Sequence, residues 1–132
     1  MFTEEQLKDE IRKKLDELSK YDRSFLFDVR EACIRSVYIK LYTYYDVVLI
    51  RPRRDVITDL SIVLVSAVIV DVAHTSSLLG REKVEWEVDE ICKMIVDLFP
   101  QHMWEDVLKK VNEYINREIH MLMQIRMRIE KG

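Results

Sequence analysis

The chain has 132 residues, 48% apolar and 34% charged, enough to bury about two-thirds of the surface its unfolded form exposes, which excludes disorder and fits a single domain over residues 1–132. Its net charge is −3, so no global field draws it onto nucleic acid or an anionic membrane, and any such binding must be local. Glycine and proline occur only as Pro52, Gly80, Pro100 and Gly132. They cut the sequence into long blocks with helical spacing of apolar residues, which predicts an all-α antiparallel bundle of about five helices, three long and two short.

The first helix announces itself. Thr3 is placed as N-cap with Gln6 as its returning partner, and Phe2 with Leu7 forms a hydrophobic staple. Leu7, Ile11, Leu15 and Leu18 then make a narrow apolar stripe opposite a charged, solvated face. Asp22 or Ser24 caps a second helix that runs to about Ile50, some 40 Å at helical rise, with Leu26, Val29, Cys33, Val37, Leu41, Tyr44 and Val48 on its stripe. Arg51, Pro52, Arg53 and Arg54 form a turn, and Asp55 is placed to cap a third helix that continues to Leu79 and stops at Gly80. Asp55, Asp59, Ser66 and Ser77 share one polar edge of that helix, and the rest of it reads as core.

The fourth helix covers Lys83 to Phe99, with acidic residues at its positive end and Val84, Val88, Ile91, Ile95 and Leu98 on its apolar side. The fifth runs from His102 to about Glu130. Its residues Trp104, Leu108, Val111, Ile115, Glu118, Leu122, Ile125 and Ile129 step by four and three as a heptad seam, which must meet another helix. A competing fold is α+β, with residues 36–72 paired as one long hairpin, because that stretch is rich in valine, isoleucine, tyrosine and threonine. Strands of fifteen or more residues are rare, since most run about three to ten, and the helical reading is preferred.

No catalytic motif, phosphate loop or metal-ligand set stands out, so neither an enzyme nor a cofactor is expected. Asp71 and His74 are spaced like half of a carboxylate-bridged metal site, but no matching second pair exists and no metal is expected. Cys33 and Cys92 are isolated within helical patterns, as reduced buried thiols are. With Glu4 and Glu5 preceding any apolar run, no secretory signal is read, and the expected location is the cytoplasm. Val56 to Ala73 is apolar enough to suggest a membrane span, but Asp59 and Asp71 would cost roughly 2.5–3.5 kcal/mol each in lipid, so a buried central helix is expected and no membrane. The scarcity of asparagine and glutamine, with abundant charged residues, leans toward a heat-adapted source.

Glu118 at a core position of the seam needs a partner or a place at the seam's edge, or serves to fix register in an oligomer. Met121, Met123, Ile125 and Met127 cannot share one side of the fifth helix, so its C-terminal half is apolar over much of its circumference. These features predict a non-enzymatic protein–protein interaction module, self-associating as a homo-oligomer, a dimer by preference. Its interface would comprise Trp104, Leu108, Val111, Ile115, Glu118, Met121, Leu122, Ile125 and Ile129. The alternative is a nucleic-acid-associated regulator using Arg51, Arg53 and Arg54 as a phosphate contact.

Overall fold

The computed structural model describes residues 1–48, 54–79 and 84–131, with side chains over 1–43, 56–79 and 85–131. Five helices follow one another: α1 (Glu4–Leu18), α2 (Arg23–Val48), α3 (Arg54–Leu79), α4 (Val84–Leu98) and α5 (Trp104–Lys131). Among the described residues there is no strand, and the stretch weighed as a β-hairpin forms α2 and α3 instead. Apolar residues there recur at helical rather than alternating spacing, and the helical form buries most of those from Ile62 onward.

Local chemistry sets the helix ends. The Gln6 amide donates to Thr3 Oγ1 over 3.1 Å while the Thr3 amide donates to Gln6 Oε1 over 2.8 Å, a complete capping box. Asp22 opens α2, its Oδ1 accepting from the Phe25 amide at 2.7 Å. α3 already begins at Arg54, one residue before its expected cap Asp55. Between α4 and α5, Pro100 starts a single 3-10 turn over Gln101–Met103. That corner is held by the Trp104 indole N–H, which donates to the Phe99 carbonyl at 2.9 Å.

Neighbouring helices alternate in direction. Arg23 donates to the Ser77 carbonyl, Phe27 stacks obliquely on His74 and Arg30 pairs with Asp71, so α2 and α3 run antiparallel in a fixed register. α1 and α4 do the same through Arg12 with Glu85 and Lys8 with Asp89. Asp28 of α2 meets Arg126 of α5 at 2.9 Å, again antiparallel, whereas Phe2 with Gln101 and Lys14 with Asn116 set α1 parallel to α5.

α3 is the central element, packed against all four others. A helix apolar on nearly every side is stable only when surrounded, and Ile62, Val63, Val65, Ala67, Ile69, Val70 and Ala73 are all buried. Its stretch Val56–Leu79 is long and apolar enough to cross a bilayer, and half of its most apolar window is enclosed by the rest of the fold, as in the middle helix of a bundle. Ser66, fully buried, donates to the Ile62 carbonyl within its own helix at 2.7 Å, so its place on a polar edge costs the core nothing unmatched. Each buried valine, leucine or isoleucine contributes about 1.5–3 kcal/mol relative to exposure, and the core draws them from all five helices.

Candidate functional site

The seam of α5 divides into two parts. Trp104, Val111 and Ile115 are buried by the chain's own α1, α2 and α3, together with Val107, Tyr114 and Ile119. These three residues, expected at an interface with a second chain, are already covered within one. Leu108, Glu118 and Leu122 are half-buried, and beyond Ile119 no residue of α5 is buried. Met121 and Ile125 are each 49% exposed and Ile129 is 73% exposed. The outer part of the seam therefore continues into solvent.

Glu118 sits at the edge of the seam rather than in it, because Ile119 turns inward in its place. Among the described residues it makes no ion pair within 4.0 Å. Its charge is felt by two buried neighbours. Burial, and then the nearby Glu118 carboxylate, push the Cys33 thiol up to about 12. Tyr114 is also pushed up to about 12, first by burial and then by Cys33 and Glu118, while Ser36 and the Arg117 guanidinium 5.5 Å from its ring ease the shift. The Tyr114 hydroxyl is itself buried without a well-formed hydrogen bond; Ser36 lies near it but outside bonding geometry.

The α2–α3 hairpin also divides; the sequence offers the second helix as a candidate association surface but not this division. On α2 the buried residues are Phe25, Leu26, Val29 and Cys33, and none follows through Thr43; on α3 none precedes Ile62 among the described residues. The half of the hairpin nearest its turn thus carries apolar side chains that no other element encloses. Tyr38, Ile39, Tyr42, Ile57 and Leu64 are exposed, Tyr42 by 74%. The register set by Arg30 with Asp71 and by Phe27 with His74, carried along both helices, brings Tyr38 level with Val63 and Tyr42 level with Asp59. The signal available in the sequence was the run of tyrosines on the second helix, Tyr42, Tyr44 and Tyr45, which fits an adaptable apolar surface on a second association element as well as ordinary core filling.

Arg51 and Arg53 lie outside the described residues, as does the side chain of Arg54. Asp71 is engaged by Arg30, which also pairs with Glu31 at 2.7 Å, and the His74 ring lies 5.7 Å from that of Phe27. Among the described residues no group of three or more histidine, cysteine, aspartate or glutamate side chains is disposed to hold a metal ion. Cys33 and Cys92 are both buried free thiols, and burial raises Cys92 as well. Comparison with protein-family models, with curated proteins and with solved structures found no match for this chain.

Proposed function

We propose that this protein works by association with a second copy of itself, the half of the α2–α3 hairpin nearest its turn being the docking surface. The observation that supports this is the stop in burial on α2 after Cys33 and on α3 before Ile62: among the described residues 34–43 and 56–61 none is buried, although apolar side chains continue there. A two-helix hairpin supplies half of a four-helix core. Two hairpins meeting across a two-fold axis bury the same residues on both sides, since a patch on such an axis is self-complementary. Tyr38 and Tyr42 suit the position, because tyrosine brings large apolar area with a polar tip that tolerates water before association. Exposed apolar patches beyond a few hundred Å2 mark interaction surfaces, and α2 carries only Lys40 as a charge between Ser36 and Thr43. No chemistry on a substrate is part of this role.

The outer seam of α5 supports a second contact of the same kind. Met121, Leu122, Ile125 and Ile129 continue a stripe whose first half is core, and two such ends pair as a short coiled coil. Light scattering on the full chain tests both. A dimer is expected, and a monomer at tens of micromolar protein would refute the association. Tyr38→Glu with Tyr42→Glu dissociates a hairpin-mediated dimer, whereas Ile125→Lys with Ile129→Lys dissociates one held by α5. Helicity by circular dichroism should stay unchanged in both pairs, since all four side chains are exposed.

A further inference from the structure

We propose that the cleft where α2, α3 and α5 meet binds a small zwitterionic ligand with an aliphatic stem, of the size of a free amino acid. The cleft has two adjoining compartments of about 390 and 270 Å3, and Lys40, Asp59, Tyr114 and Arg117 line both. Ligand pockets span roughly 300–1,000 Å3; one compartment lies at the low end of that range and the other just below it, so each has room for a small occupant. Ser36 and Glu118 join the smaller compartment.

Two independent observations converge on it. Elsewhere charges on facing helices pair: Arg12 with Glu85, Lys8 with Asp89, Arg30 with Asp71 and Arg126 with Asp28. Here Lys40, Asp59, Glu113, Arg117 and Glu118 come together from three helices, yet among the described residues none makes an ion pair within 4.0 Å, and Lys110 beside them pairs only within its own helix, with Asp106. Within that ring of charges, Tyr114 is only 8% exposed and its hydroxyl has no hydrogen-bond partner. A buried donor left unmatched is a cost that a ligand removes by accepting from it. With its pKa pushed up to about 12, the phenol remains a donor at neutral pH.

The sign pattern selects the ligand. An anion alone would face Asp59, Glu113 and Glu118, and a cation alone would face Lys40, Lys110 and Arg117. A molecule carrying both charges places its carboxylate toward Lys40, Arg117 and the Tyr114 hydroxyl, and its ammonium toward the carboxylates of Asp59, Glu113 and Glu118. Val56, Ile62 and Val63 supply apolar wall for a stem between them.

The test is a titration of the full chain followed by 1H–15N NMR, with L-leucine as zwitterion and two probes of the same stem carrying one charge each, 4-methylpentanoate and isopentylamine. The proposal expects saturable shifts confined to amides around Ser36–Lys40, Asp59 and Tyr114–Glu118, with both single-charge probes at least tenfold weaker. Tyr114→Phe should weaken leucine at least fivefold without lowering the melting temperature. Arg117→Gln, an exposed change, should do the same should the first variant misfold. No saturable shift, equal binding of either single-charge probe, or leucine affinity unchanged in the folded variants would overturn it.

Discussion

Lys14 reaches from α1 to the side-chain oxygen of Asn116 on α5, 2.7 Å away, with Glu17 at 3.3 Å. Its side chain is only 9% exposed, so an ammonium stands almost inside an interface between parallel helices. Burial holds its pKa below the usual 10.5, and Glu17 only partly offsets this. The charged form is thus less at home in the fold than in the unfolded chain. As pH rises toward 10.5 the folded amine discharges first, the unfolded chain then holds more protons, and stability rises.

Lys14→Met keeps the apolar stem and removes the buried charge, so it should stabilise the fold by about 1 kcal/mol at pH 7. Urea denaturation at pH 7 and pH 10 checks this. The gain should shrink at pH 10, where the wild-type amine begins to discharge.

Trp104→Phe removes the indole N–H that the Phe99 carbonyl accepts. Leaving a buried carbonyl unmatched and its surroundings underfilled should cost about 2 kcal/mol. Thermal melting followed by circular dichroism measures it, and a loss below about 0.5 kcal/mol would mean that the α4–α5 corner is held by packing alone.

One stripe of α5 offers a contrast between two isoleucines. Ile115 is fully buried and Ile129 largely exposed. Ile115→Ala should cost about 3 kcal/mol through lost burial and the cavity left behind. Ile129→Ala should change stability by less than about 0.5 kcal/mol in dilute protein. If Ile129→Ala costs more as protein concentration rises, the outer seam is covered in the associated form.

Cys33 and Tyr114 are both pushed up to about 12, against ordinary values of 9.0 and 10.0. Groups held neutral in the fold ionise first in the unfolded chain, so the stability they contribute is complete below pH 9 and falls between pH 9 and about 12. Tyr114 should stay protonated until about pH 12 in an ultraviolet titration of the native protein, and Tyr114→Phe should remove that late step. Cys33 should resist alkylation at pH 8 until the chain is unfolded, since the thiolate is the reactive species.

Helix order was legible because its signals are local. The Thr3–Gln6 box, Asp22 and Pro100 act within a few residues of themselves, and the structure places each where its chemistry predicts. The seam of α5 was legible at Trp104, Val111 and Ile115, and of the alternatives open for Glu118 the structure shows the place at the seam's edge. A straight helix drifts about 20° per heptad against a strict seven-residue repeat, so the buried stripe takes in Ile119 and leaves Glu118 at its edge. What could not be read was cover. Whether Tyr38 or Ile125 is enclosed depends on how far the 15-residue α1 and α4 extend along α2, α3 and α5, of 26, 26 and 28 residues. The cleft is equally non-local, since Lys40, Asp59 and Arg117 meet only after three helices have packed.

The split of the α2–α3 hairpin into an enclosed half and an open half also sets a gradient of cooperativity along two continuous helices. Amide protons at 25–33 and 62–73 should exchange with deuterated solvent only through global unfolding, while those at 34–43 and 56–61 exchange through fraying that leaves the rest folded. A partner seated on the open half would slow that exchange to the pace of the enclosed half, making isotope exchange a direct reporter of whether the surface is occupied.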